Sequence, residues 1–172
     1  GNMGHPVVTA ICRTAAGQGI ASLRFDFRGV GESEGSFTNG VAEQDDLRAA
    51  FEITKLLPGI DGKRLALVGY SFGASVVLGG LGKCKAARSV TLISPPLSSV
   101  RRSRIRKSKR PKLFVVGERD RVVDSVELQR ALDGVRPPVQ FVEVPDANHS
   151  LAAHEQVVAD HVSEFLVRTL GA

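Results

Sequence analysis

The sequence has no tryptophan, and aromatic residues make up only 5% of its 172 positions. It therefore has little material for an aromatic cage around a cation or for a platform on which nucleobases stack. Its two cysteines, Cys12 and Cys84, form no CxxC pair and have no histidine at zinc-ligand spacing, which excludes a disulfide scaffold and a structural zinc site. Both are expected to be buried thiols in helix-like stretches, in a reducing compartment. No apolar run approaches the roughly 20 residues that span a bilayer, and the first residues lack the basic-then-apolar layout of a secretory signal. The expectation is a soluble cytoplasmic chain without membrane contact. What is there is 42% hydrophobic content, enough for a single globular domain, residues 1–172, around one core.

The formal net charge of +5 points first to nucleic acid. Eight of the 23 Lys and Arg, however, are Arg101, Arg102, Arg104, Arg106, Lys107, Lys109, Arg110 and Lys112, and the other 15 face 18 acids. The basicity belongs to one segment. It reads as a solvated loop after the Ser94-Pro95-Pro96 turn, where a cap over a site would be inserted. A guide for anionic substrates is the second reading, and nucleic-acid binding the third, since no aromatic residue interleaves the charges.

Short apolar, β-branched runs alternate with stretches of helical period, the pattern of parallel strands joined by crossover helices. The expected strands are Ala21–Phe27, Arg64–Tyr70, Ser89–Ser94, Lys112–Gly117 and Val139–Val144. The last alternates apolar and polar residues and is expected at an edge. A first helix starts near Pro6, with Val7, Val8, Ile11, Cys12 and Ala15 on one side and Gly17 and Gly19 at its end. A second carries the stripe Leu47, Ala50, Phe51, Thr54 and Leu57, and a closing helix carries Val158, Val162, Phe165, Leu166 and Thr169. His161 is expected at the core boundary, and His5 and His154 in solvent.

The strongest motif is Leu65-Ala66-Leu67-Val68-Gly69-Tyr70-Ser71-Phe72-Gly73-Ala74, a buried strand running into Gly-x-Ser-x-Gly and then a helix of small residues. A serine at such a turn sits on strained backbone, with Gly69 and Gly73 letting the chain close around it. Its hydroxyl is exposed at the carboxyl end of the sheet, and the backbone N–H of Phe72 at the helix start can face a developing oxyanion. The plainer alternative is a glycine-rich turn whose serine caps the helix.

A serine hydroxyl needs an imidazole to take its proton and a carboxylate to fix that imidazole's tautomer. Lys112–Gly117 empties into Gly117-Glu118-Arg119-Asp120-Arg121-Val122-Val123-Asp124, which makes Asp120 the candidate acid. Glu118 and Asp124 are its rivals, Asp124 reading better as a helix N-cap. After the final strand, Pro145-Asp146-Ala147-Asn148-His149 presents His149 as the candidate base. A metal set of Asp120, Asp146 and His149 has no supporting ligand cluster, so neither metal nor cofactor is expected.

Phe25-Asp26-Phe27-Arg28-Gly29-Val30-Gly31-Glu32-Ser33, the turn around Ser71, Gly117 to Asp120 and Asn148-His149 together resemble the α/β-hydrolase superfamily. The resemblance spans essentially the whole chain and is strongest to small hydrolases with little or no lid, relatives of dienelactone hydrolase. It implies a mostly parallel sheet with helices on both faces and a small-molecule acyl substrate, an ester, thioester or related compound, hydrolysed through an acyl-enzyme on Ser71. A catalytically impaired binding or interaction module of the same fold is the competing reading. Arg28, Gly29, Gly31 and Ser33 would shape a loop. Dienelactone hydrolases carry cysteine where this chain has Ser71, so their substrate is not carried over.

The resemblance also implies more chain before the first helix, including a central strand and a loop that supplies a second oxyanion donor. That strand would lie between those ending at Phe27 and Tyr70. Without it the chain is truncated at its amino terminus, or the two flanking strands pair directly in a contracted sheet, or a second subunit of a homo-oligomer lends a strand. The contracted or truncated form is the expectation, with catalysis weakened by about 100-fold or more for the lost donor.

Overall fold

A computed structural model describes residues 2–172. Helix α1 (Pro6–Gly17) starts with proline in its first turn, where the missing N–H is no loss, and the His5 ring accepts from Val7 N. Helix α2 (Glu43–Thr54) places Glu43, Asp45 and Asp46 at its positive end. There follow β1 (Ala66–Tyr70), α3 (Phe72–Gly80), β2 (Ser89–Ile93) and α4 (Leu97–Arg102). A 3-10 turn (Arg104–Lys107) leads to β3 (Lys112–Gly117), α5 (Ser125–Ala131), β4 (Val139–Val144) and α6 (Glu155–Leu170).

The four strands form one parallel sheet in the order β1-β2-β3-β4, with Leu92 opposite Phe114 and Phe114 opposite Phe141. Strands β2 and β3 are buried at every residue, as both-face coverage requires. One face packs Val90, Leu92, Phe114 and Val116 against α2, α3, α4 and α5; the other packs Ile93, Leu113 and Val115 against α1 and α6. The expected α/β architecture with helices on both faces is present, and β4 is half-exposed along one edge. Among the described residues no helix is long and apolar enough to cross a membrane.

Four expectations need correction. Residues 21–27 form no strand. They do not pair with β1, so the sheet is not contracted: a cleft of about 660 Å³ separates the two segments. A segment of strand-forming composition cannot join a ladder that lies out of reach. The apolar stripe of α2 is correspondingly only partly covered: Leu47 and Phe51 are buried, while Ala50, Thr54 and Leu57 line the cleft. Cys12 lines it too and is half-exposed, whereas Cys84 is buried and lies in a turn beyond α3.

The basic stretch is not a solvated loop. It folds into α4, the 3-10 turn and the start of β3, with Val100 and Ile105 fully buried. Several of its cations satisfy carbonyls that would otherwise be left unpaired. Arg106 donates to Ala131 O and Asp133 O, Arg110 to Lys85 O, and the buried Lys112 ammonium to Ser108 O and Arg136 O at 2.9 and 2.6 Å. Burial, reinforced by Arg136, pushes the Lys112 ammonium down from 10.5 to about 8.

Candidate active site

Ser71 stands between the last residue of β1 and the first of α3, at φ 50° and ψ −112°. Such backbone costs about 1–3 kcal/mol and persists only where its surroundings enforce it. Here Ser71 N donates to Ile93 O at 2.8 Å, and Ser71 O accepts from Ala74 N at 3.0 Å. A Cβ at position 69 would lie 2.7 Å from Gly73 O and from Ala74 Cα, so only glycine lets the strand pass the helix. At Gly73 a Cβ would meet nothing within 4 Å, so the steric demand expected of both glycines falls on Gly69 alone. Phe72 N–H is at the first position of the helix, directly after Ser71, where no preceding turn supplies an intrahelical acceptor.

Asp120 follows β3 and is only 6% exposed. Its Oδ1 accepts from Val122 N and Val123 N at 2.8 and 2.9 Å, which fixes the carboxylate. The rival acids are engaged elsewhere: Asp124 caps α5 by accepting from Glu127 N, and Glu118 accepts from Asp146 N. The metal alternative is not assembled, because the Asp146 carboxylate pairs with Arg119. Among the described residues no group of three His, Cys, Asp and Glu could hold a metal ion.

His149 arrives on the loop after β4. That loop is bonded to the end of β3, with Glu118 N donating to Val144 O and Arg119 N to Ala147 O. The approach is so close that a Cβ at Gly117 would collide with Ala147 O. His149 Nε2 lies 3.0 Å from Ser71 Oγ, and its Nδ1 lies 2.9 Å from Asp120 Oδ2. Three side chains separated by 49 and 29 positions in sequence thus form one hydrogen-bonded row at the carboxyl edge of the sheet.

Two residues near this row were not marked as functional from sequence. Tyr70 donates its hydroxyl to His149 O at 2.9 Å, tying the end of β1 to the histidine loop. His5, expected in solvent, is half-buried with its ring 4.7 Å from that of Tyr70. Burial holds its imidazole below the ordinary range, and the nearby His149 adds to the effect. The tyrosine's position inside Gly-x-Ser-x-Gly was the one available signal; the His5 contact is tertiary and had none. His154 stands at the start of α6 and His161 is half-buried along it. The segment after Phe27 is a structural loop: Arg28 forks onto Asp46 through Nε and Nη2, and Ser33 Oγ donates to Asp26 O.

Comparison with known proteins places this geometry in a family. The dienelactone hydrolase family pattern matches residues 34–165. A crystal structure from Xanthomonas campestris, described as an α/β serine hydrolase without lid, is 32% identical with a TM-score of 0.87, covering 100% of this chain and 77% of that one. An α/β serine hydrolase homologue from Coxiella burnetii is 29% identical with a TM-score of 0.78, covering 98% of this chain and 78% of that one. An uncharacterized protein of Rickettsia prowazekii is 29% identical over 97% of this chain and 73% of its own length. The chain belongs to the dienelactone hydrolase family and is a hydrolase of the α/β-hydrolase fold.

Proposed function

We propose that this chain is a serine hydrolase of carboxylesterase type that cleaves a small ester, thioester or related acyl substrate. Ser71 Oγ attacks the carbonyl carbon while His149 Nε2 takes its proton, and Asp120 holds Nδ1–H in the required tautomer and stabilises the imidazolium. The tetrahedral oxyanion is met by Phe72 N–H and by the positive end of α3. Collapse expels the alcohol or thiol with the proton held by His149. A water molecule, deprotonated by the same imidazole, then releases the acid and restores Ser71.

The observation that carries this reading is the unbroken row Ser71 Oγ to His149 Nε2, then Nδ1 to Asp120, at 3.0 and 2.9 Å. The strained elbow supports it, because a serine that served only as a cap would need no positive φ; Ser71 makes no side-chain cap bond to the helix at all. Short, unbranched acyl groups are expected to be preferred, since among the described residues no lid segment covers a long tail.

A panel of acetyl, butyryl and octanoyl esters, the matching thioesters and a lactone, run on the wild type and on Ser71→Ala, tests the proposal. It predicts hydrolysis of the short esters or thioesters that disappears with Ser71. Folded wild-type protein that turns over none of them, or Ser71→Ala turning over as fast as wild type, would overturn it.

A further inference from the structure

The imidazole of His149 is oriented by Asp120, but its main chain is not fixed by regular structure. Residues 145–153 form no helix or strand, and Asp146, Leu151 and Ala153 take positive φ of 59°, 55° and 64°. Backbone of that kind persists only where its surroundings enforce it. The loop is held on both flanks of the histidine. Before it, Asp146 N donates to Glu118 Oε2, Arg119 N donates to Ala147 O, and Ala147 is buried. After it, Leu151 is buried and its N–H donates to Asn148 O. Between these anchors, among the described residues, the backbone of His149 makes one hydrogen bond: its carbonyl accepts from the Tyr70 hydroxyl at 2.9 Å.

Tyr70 is the last residue of β1 and the immediate neighbour of Ser71. It pairs in register with Ile93, whose carbonyl also accepts from Ser71 N, so the tyrosine and the nucleophile are anchored to the same point of β2. The ring is half-buried, packs against the cluster of Ile93, Leu113 and Val115, and meets the His5 ring at 4.7 Å. A phenol carries its hydroxyl on a rigid ring with only χ1 and χ2 to fix, which makes it a stiff strut. Burial, reinforced by the Asp120 carboxylate, pushes this phenol above its ordinary range. The hydroxyl therefore stays a donor throughout the pH range in which an imidazole base works.

We propose that Tyr70 is a positioning residue for hydrolysis: its hydroxyl holds the main chain of His149 at a fixed distance from Ser71, so that the proton can pass from Oγ to Nε2. The inference rests on the serine-hydrolase reading above. Two groups divide the task. Asp120 sets the tautomer and rotation of the imidazole at Nδ1, and Tyr70 sets the position of the loop that carries it. Because the strut ends on the carbonyl and not on the ring, the imidazole keeps its freedom to tilt from Ser71 Oγ toward a leaving group or a water, as the two halves of acyl transfer require. A hydroxyl spent on a backbone carbonyl makes no contact with substrate, so its loss lowers turnover without weakening binding. Phenylalanine at this position would fill the same space and leave His149 O without its donor.

The test replaces Tyr70 in the full chain with Phe, which keeps the ring, and with 4-aminophenylalanine, which returns an N–H donor at the same place. Urea unfolding checks that each variant folds. Short esters give kcat and KM, and the rate of fluorophosphonate labelling at Ser71 reads the Ser71–His149 step without a full turnover. Tyr70→Phe is expected to lower kcat and the labelling rate together by about tenfold or more, with KM within about twofold of wild type. The 4-aminophenylalanine variant is expected to recover most of both. Amide exchange at Leu151, whose N–H closes the turn around His149, is expected to quicken in Tyr70→Phe and to slow again with the amine.

An active wild type whose Tyr70→Phe variant keeps kcat within about twofold would overturn the positioning role and leave the hydrolase reading standing. A loss that appears in KM, that the amine does not restore, or that comes with global unfolding would also overturn it, making Tyr70 a substrate contact or a packing residue. Folded wild type that neither turns over an ester nor takes the label would overturn the hydrolase reading, and this inference with it.

Discussion

The two sides of β1 differ in packing. Strands β2 and β3 are paired on both sides and sealed by helices on both faces, β4 closes that side as an edge strand, and the loops beyond β3 and β4 are hydrogen-bonded to each other. Between β1 and residues 21–27 the same layers enclose a cleft of about 660 Å³. The candidate acid and base stand on the sealed half, where Asp120 is fixed by two backbone amides and the loop of His149 by the close passage at Gly117. The candidate nucleophile stands at the border of the two. Ser71 is anchored to β2 by its own N–H, while the other flank of β1 borders the cleft. The candidate acid and base are thus held by backbone contacts of β3 and β4, whereas the candidate nucleophile stands where β1 borders the cleft.

The contrast can be broken most severely on the sealed side. Asp120→Asn leaves the shape of the row but favours the wrong imidazole tautomer, and kcat for any ester hydrolysed is expected to fall by about 10⁴-fold; steady-state kinetics at neutral pH measures it. A fall below tenfold would mean that the imidazole is oriented without Asp120. Next in size is Gly117→Ala, whose methyl would collide with Ala147 O. A loss of about 1–3 kcal/mol in urea unfolding is expected, with a drop in kcat as the His149 loop is displaced. Gly73→Ala, with open space around the new methyl, is expected to stay within about 0.5 kcal/mol of wild type.

The buried Lys112 gives a pH signature. Its ammonium titrates near 8 in the fold and near 10.5 when unfolded, so between those values the unfolded chain binds the extra proton and stability rises with pH. A gain on the order of 1–3 kcal/mol across that window is expected, and a set of urea melts from pH 7.5 to 10.5 would detect it. Lys112→Met is expected to flatten the rise while lowering stability at every pH, because Ser108 O and Arg136 O lose their donor. The smallest effect belongs to the open half. Leu23→Ala is expected to change stability by less than about 0.5 kcal/mol, since this side chain is 48% exposed.

Much of this was legible in the sequence, for identifiable reasons. Strands covered on both faces are continuously apolar, which makes Ser89–Ile93 and Lys112–Gly117 plain. The row of Ser71, Asp120 and His149 could be anticipated because each lies in the loop or turn just past the carboxyl end of a strand. Residues 21–27 misled because composition reports what a segment is suited to pair with, not whether the partner is within reach. The basic stretch misled because a run of cations looks solvated, and nothing local reveals that Arg106, Arg110 and Lys112 will be spent on the carbonyls of distant turns. The demand for glycine at position 117 was equally hidden, since it comes from Ala147, 30 residues away. The tilted contact of His5 with Tyr70 exists only once the start of α1 has docked near the end of β1.

The most direct test of the central claim is covalent. Incubation with a fluorophosphonate, followed by intact mass and peptide mapping, should give a single adduct on Ser71. That adduct should vanish in Ser71→Ala and form far more slowly in His149→Ala. Correctly folded wild-type protein that takes up no label, or carries it on another residue, would contradict the account.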